Sequence, residues 1–481
     1  MSVLSGLQPE RVFYYFEELT KIPHGSGNTK QISDFCVEFA KAQNLEWYQD
    51  GDNNVVIIKE ATKGYEESDA LIIQGHLDMV CEKESGCPKN MDTEGLDIYV
   101  DEDLVKAKQT TLGGDDGIAV AMAMAILEDK TLRHPRLEVV FTTDEETGMF
   151  GAMALDVSPL KGKMLLNIDS EVEGIFTVSC AGGNLATCKL PLTGENVTKE
   201  GVEIKIKGLV GGHSGVEIDK NRANANMLMG RFLQAIAMET PMQITTVEGG
   251  LKNNAIPAEA KAIVVADETV VKKLQEEYIK IFQNEYKEAD KDITITVDKV
   301  SLENEFVADA ETTEKMICLL TCAPNGILTM SQNIEGLVQT SLNLGILTTN
   351  DKEMEMCYCV RSSVESERVM INRRLASLMK QIGGTFEQTG DYPGWEYNPN
   401  SVLRENMVAL YKEMFEEEPK IEAIHAGLEC GLFAGKIEGL DCISIGPNLY
   451  HIHTPREAMS ISSVERVYGF VLELLKRMKD E

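Results

Sequence analysis

The feature that most restricts the fold of this chain is an alternation of short aliphatic strands with helices at both ends of the sequence. Residues 54–59, 70–76, 137–143, 164–168 and 174–180 are rich in β-branched or aliphatic side chains, which predicts strands. Between the second and third of these, residues 117–130 predict a helix with Asp115 or Asp116 as its N-cap, and the apolar run 118–127 suits a buried one. The pattern resumes near the C-terminus: helix 401–418, strand 420–426, helix 429–437, strand 441–445 and a last helix from Ser463. Such alternation predicts an α/β domain with a mostly parallel sheet, built from both ends of the chain.

The middle of the chain differs. Strands 202–208, 258–267 and 293–300 alternate polar and apolar residues, and 268–288 reads as a long charged helix. A sheet covered on one face explains this, so an inserted α+β lid domain is expected. Gly, Pro and Asp cluster near 184–194 and 390–394, which sets the expected domains at 1–188, 189–392 and 393–481.

With 481 residues, the chain exceeds one ordinary core. Its 46 basic and 78 acidic residues give a net charge of −32, which argues against nucleic acid and against an anionic membrane surface as partners. Eleven cysteines without a C-x-x-C pair fit reduced thiols. Residues 1–6 lack a basic segment leading into an apolar one, and no apolar run reaches membrane-spanning length, so a cytoplasmic protein is expected.

Chemistry collects at the strand ends. The strand 70–76 ends in His76, followed by Asp78, and residues two apart share one face. A glycine pair precedes Asp115 and Asp116. Strand 137–143 runs into Asp144, Glu145 and Glu146, three adjacent carboxylates that either a solvated loop or a cation would accommodate. Strand 164–168 is followed by Asp169, and the last strand by His451 and His453. Histidines and carboxylates at successive strand ends form an inventory of metal ligands, at the edge where open α/β sheets place their ligands. Two metal ions bridged by a carboxylate would polarise a carbonyl and activate water, which points to amide hydrolysis. On residues alone, Asp115 and Asp116 compete for the bridge, and His451 competes with His453.

The ordered set Gly75-His76-Leu77-Asp78-Met79-Val80, Gly113-Gly114-Asp115-Asp116-Gly117, Asp144-Glu145-Glu146-Thr147-Gly148, Asn167-Ile168-Asp169-Ser170 and His453-Thr454-Pro455 resembles the M20 metallopeptidase family. Within that family the resemblance is to the branch that cleaves Xaa-His dipeptides. Supporting stretches are Gly211-Gly212-His213-Ser214-Gly215, Asn253-Asn254-Ala255-Ile256-Pro257, Val360-Arg361-Ser362-Ser363 and His425-Ala426-Gly427-Leu428-Glu429.

The resemblance implies a di-zinc catalytic domain with an inserted lid that carries dimer contacts, hence a homodimer, and small peptides as substrates. It assigns His76 and Asp169 to one zinc and Glu146 and His453 to the other, with Asp115 between them; Mn²⁺ or Co²⁺ are alternatives. Asp78 would orient His76, and Glu145 would be the general base for attack by a metal-bound water. His213 would hold the oxyanion, Arg361 would pair with the substrate carboxylate, and Asn254 and Glu429 would line the substrate site. Other activities of the family, as tripeptidase, carboxypeptidase or N-acyl amino acid deacylase, and an inactive metal- or peptide-binding relative are the competing expectations.

Overall fold

The computed structural model describes residues 2–479. The chain forms two compact units, one made of Met1–Ser179, Tyr397–Ala423 and Leu428–Glu481, the other of Cys180–Glu396 with Ile424–Gly427.

The first unit is built on an eight-stranded sheet. In chain order its strands are β1 (Glu46–Gln49), β2 (Val55–Lys59), β3 (Leu71–His76), β4 (Leu137–Thr142), β5 (Met164–Asn167), β6 (Ile175–Cys180), β7 (Lys420–Ile424) and β8 (Asp441–Ser444). Across the sheet the order is β1-β2-β4-β3-β5-β8-β6-β7. The centre is parallel, β3 pairing with β4 and β5 and β5 with β8, while β2 joins β4 and β6 joins β8 in antiparallel fashion. Every residue of β3 is buried, which explains its unbroken aliphatic run: both faces of the sheet are covered. Helix α1 (Gly114–Glu128) is apolar all round, and Ile118 through Leu127 are buried. Because β4, β3 and β5 run in one direction, their carboxyl ends share one edge.

A second, four-stranded sheet in this unit escapes sequence periodicity because its strands are so short. Leu449–Tyr450 pairs with Ala458–Ser460, which pairs with Leu104–Ala107, which pairs with Ile98–Asp101. The two C-terminal strands hold residues 451–457 between them as a hairpin loop.

The second unit is a nine-stranded sheet whose pairings are antiparallel. Ala260–Val265 alternates buried and half-buried positions, the pattern of a sheet packed on one face. Two of its helices start on aspartate caps: Asp267 accepts from Thr269 N at 2.8 Å and Asp309 from Thr312 N at 2.8 Å. The apolar faces of Ala225–Glu239, Ala310–Cys322 and Glu365–Ile382 supply the core over the sheet. All eleven cysteines are free thiols. Among the described residues, no helix is long and apolar enough to cross a membrane.

His425 is buried in the second unit with Nε2 2.7 Å from Ser341 Oγ. Burial, reinforced by the charge of Arg361, pushes its imidazole down to about 3. An unfolded imidazole titrates near ~6.5. Below that pH the unfolded chain binds a proton that the folded chain refuses, so stability falls as pH falls, by up to ~1.4 kcal/mol per pH unit, until the folded value is reached. His425→Asn should therefore flatten the decline in urea midpoint between about pH 6.5 and 4. A slope equal to that of the wild type would remove His425 from the acid response.

Candidate metal centre

The shared carboxyl edge of β4, β3 and β5 places its histidine and acids together. His76 is the last residue of β3, opposite Thr142 at the end of β4, and Gln74 lies opposite Asn167 at the end of β5. Each strand then delivers its polar residues: Asp78 after β3, Glu145 and Glu146 after β4, Asp169 after β5. Asp115 arrives from the first turn of α1, and His453 from the hairpin loop 451–457.

Asp115 stands between two imidazoles. Its Oδ1 lies 3.1 Å from His76 Nε2 and its Oδ2 lies 3.2 Å from His453 Nε2. Asp169 Oδ1 is 3.6 Å from His76 Nε2, and Glu146 Oε1 is 2.8 Å from His453 Nε2. Two donor clusters therefore meet at one carboxylate. Asp115, Glu146 and His453 offer ligand atoms within 4.8 Å of one another, as do His76, Glu145 and Glu146, and His76, Asp116 and Asp169. Asp116 thus comes close enough to compete, but its Oδ2 accepts the His76 backbone N–H at 3.2 Å, and it meets a peptide rather than an imidazole. His451 lines a different cavity, of about 900 Å³, with Lys106, Tyr450 and Arg456.

The site draws positive charge toward itself. Burial opposes protonation of His76, yet Asp115, Asp169 and Asp78 raise it well above its ordinary value; Asp115 and Glu146 push His453 up to about 10. Burial works against Asp115 too, but the bonds from His453 and His76 hold its carboxyl below the ordinary range. Burial and the neighbouring acids push Asp169 up to about 6 despite His76. For Glu145, burial comes first, partly offset by His76, and Asp169, Glu429 and Glu146 add like charge; together they push it up to about 9. Divalent cations between these groups would relieve the repulsion with both imidazoles neutral. A donor set of two imidazoles and several carboxylates suits zinc or another first-row divalent ion.

Two expectations change. Asp115 and Asp116 both have non-helical backbone angles and stand just before the regular part of α1, as expected of a cap, but their carboxylates go elsewhere: Asp116 to the His76 N–H and Asp115 to the two imidazoles. The N–H groups of the turn before the helix, from Leu112 to Gly114, go to Glu457, which holds Asp115 facing the imidazoles. Asp78 reaches His76 chiefly through its backbone, the Nδ1 lying 2.9 Å from the Asp78 carbonyl oxygen and 3.6 Å from the carboxylate. Its carboxylate accepts from the backbone N–H groups of Glu145 at 3.0 Å and Glu146 at 3.3 Å and from the Ser26 hydroxyl at 2.8 Å. Asp78 therefore fixes the turn that presents both glutamates.

Glu429 lies beneath the strand ends, 1% exposed, accepting from Gln74 Nε2 at 2.5 Å and Thr142 Oγ1 at 2.7 Å. Gln74 in turn accepts from Asn167 Nδ2 at 2.6 Å. Gln74 and Thr142 had a visible signal, since a polar residue inside a strand buried on both faces must find a polar partner. Glu457 had none, because its partners are peptide groups far away in sequence.

Within the second unit, His213 and Asn254 are held side by side: Gly212–His213 pairs with Ala255–Ile256, and Ser214 N donates to the Asn254 carbonyl at 2.9 Å. His213 Nδ1 accepts from Gly215 N and Val216 N, both at 3.2 Å, so its neutral form carries the proton on Nε2. Burial and Arg361 lower its proton affinity and keep it neutral. A Cβ at Gly215 would lie 2.9 Å from His213 Cε1 and 3.2 Å from Arg361 Nε, so only glycine fits there. Arg361 is 7% exposed; its Nη1 donates to the Tyr392 hydroxyl at 3.2 Å, and its Nε has no hydrogen-bond partner among the described residues.

Comparison with known proteins bears on these residues. Residues 204–290 match the peptidase dimerisation domain of the M20 family. The chain is 38% identical to the cytosol non-specific dipeptidase of Escherichia coli (strain K12), with 99% of each chain covered. The aminoacylhistidine dipeptidase of Vibrio alginolyticus superposes with a TM-score of 0.94 at 33% identity, over 99% of this chain and 98% of that one. The aminopeptidase PepT of Bacillus cereus ATCC 10987 shares the fold, with a TM-score of 0.56 at 16% identity, covering 98% of this chain and 100% of that chain. An M20 dimerisation domain inserted in an α/β unit, and identity to a dipeptidase over nearly its full length, place this chain in the M20 metallopeptidase family of peptide-bond hydrolases.

Proposed function

We propose that the chain is a cytosolic di-zinc dipeptidase that cleaves Xaa-His and other unblocked dipeptides, acting as a homodimer through the second unit, with residues 189–392 as the lid. The observation that carries this reading is the carboxylate of Asp115, one oxygen toward each of two imidazoles. His76 and Asp169 would hold one Zn²⁺, Glu146 and His453 the other, and Asp115 would bridge; Mn²⁺ or Co²⁺ would suit the same donors. When bound, the ions polarise the scissile carbonyl and acidify water. The identity to a cytosol non-specific dipeptidase and the likeness to an aminoacylhistidine dipeptidase support the substrate class and the cytosolic setting.

The protein's own groups move the proton. Glu145 accepts it from the attacking water and passes it to the leaving amine, the general acid–base role of a carboxylate beside the metal ligand Glu146. Asp78 holds the Glu145 backbone through this exchange. His213 offers its Nε2–H to the oxyanion, and its neutral state is suited to donate without repelling the cations. Arg361 pairs with the substrate's C-terminal carboxylate. A buried guanidinium that forms no ion pair among the described residues calls for an anion. Asn254, beside His213, and Glu429, beneath the metal ligands, complete the substrate site.

Hydrolysis of a panel of Xaa-His dipeptides, other dipeptides, tripeptides and N-acyl amino acids, by protein stripped and refilled with Zn²⁺, Mn²⁺ or Co²⁺, tests the reading. Preference for tripeptides or N-acyl amino acids would overturn it, and so would inactivity with every metal. Glu145→Ala should lower kcat roughly 10²–10⁴-fold while two metal ions per chain remain bound, as measured by elemental analysis; loss of metal would recast Glu145 as a ligand. Arg361→Ala should raise KM for dipeptides about 10–100-fold, with Arg361→Lys recovering only part, because an ammonium cannot make the bidentate bond. Equal KM values for all three proteins would remove Arg361 from substrate binding.

A further inference from the structure

Glu457 occupies the hairpin loop that also carries His453, and it is 3% exposed. Its Oε2 accepts from Leu112 N at 2.7 Å and Gly113 N at 3.1 Å; its Oε1 accepts from Gly114 N at 2.8 Å and Asp115 N at 3.4 Å. Four consecutive peptide N–H groups thus converge on one carboxylate. The glycine pair makes this approach feasible. Gly113 has φ +70°, and a Cβ at Gly114 would come within 3.2 Å of Glu457 Oε1. No lysine or arginine ion-pairs with Glu457 among the described residues, and these four peptide N–H groups are the donors it accepts from.

We propose that Glu457 is a positioning residue of the metal centre. It ties the loop carrying Asp115 to the loop carrying His453, and so sets the span between the bridging carboxylate and one of its two imidazoles. The inference rests on the reading of Asp115 and His453 as metal ligands. A plain helix cap needs one acceptor for one or two N–H groups. Here both oxygens are used, the last of the four donors is the N–H of Asp115 itself, and the acceptor stands four residues from His453.

Glu457→Gln keeps the shape but turns an NH₂ toward two N–H donors; Glu457→Asp keeps the charge but shortens the reach. Both are compared with wild type as full-length protein, stripped and titrated with Co²⁺ alone, reading bound cobalt per chain, the visible d–d spectrum, the thermal midpoint, kcat and KM. Glu457→Gln is expected to weaken cobalt binding roughly 10–100-fold and to change the band shape, lowering kcat with little change in KM. Glu457→Asp is expected to fall between it and the wild type, and it carries the test should the glutamine variant fail to fold. Wild-type cobalt affinity and spectrum with only a lowered thermal midpoint would make Glu457 a structural cap and overturn the proposal. His453→Ala separates the two readings: if it binds two cobalt ions as tightly as wild type, the ligand assignment itself has failed.

Discussion

Asp78, Asp115, Asp116, Glu145, Glu146 and Asp169 crowd the buried carboxyl edge of a parallel sheet, where like charges repel far more strongly than in water. Counterparts relieve part of that repulsion. Asp78 takes peptide N–H groups and a serine hydroxyl, Asp116 takes the His76 N–H, and Asp115 and Glu146 take imidazoles. What stays unbalanced shows in the raised proton affinities of Asp116, Glu145 and Asp169, burial being the largest cause in each. This residual negative potential suits the edge to divalent cations.

The parts of this arrangement that were legible in the sequence are those fixed by local pattern. A strand buried on both faces has to be aliphatic throughout, so Leu71–His76 and Leu137–Thr142 announce themselves, and the acids and histidine that follow mark the edge. The choice between Asp115 and Asp116 is different in kind. It depends on backbone angles at the start of α1, where Asp115 has φ −85° and ψ 106°, outside the helical region, and so points away from its neighbour. The hold on the turn before the helix was hidden for a related reason: it comes from Glu457, which lies 342 to 345 residues away from the peptide groups it accepts from. No window of sequence contains both partners.

Net charge is a poor guide to local need. A chain carrying −32 overall still buries Arg361 without an ion pair among the described residues, and places neutral His213 and His425 near it. Keeping those imidazoles uncharged avoids setting two further cations against the guanidinium. The buried positive charge of Arg361 is thus flanked by two neutral imidazoles.

The hairpin loop 451–457 also has a meaning in time. Synthesis runs from the N-terminus, so His76, Asp115, Glu146 and Asp169 leave the ribosome more than 280 residues before His453 and Glu457. Until the hairpin pairs with Leu104–Ala107, the early residues of the proposed metal centre lack His453, and the Asp115 loop lacks the carboxylate that gathers its peptide groups. A centre of the kind proposed, closing only with these late strands, stays incomplete until they have been made and paired.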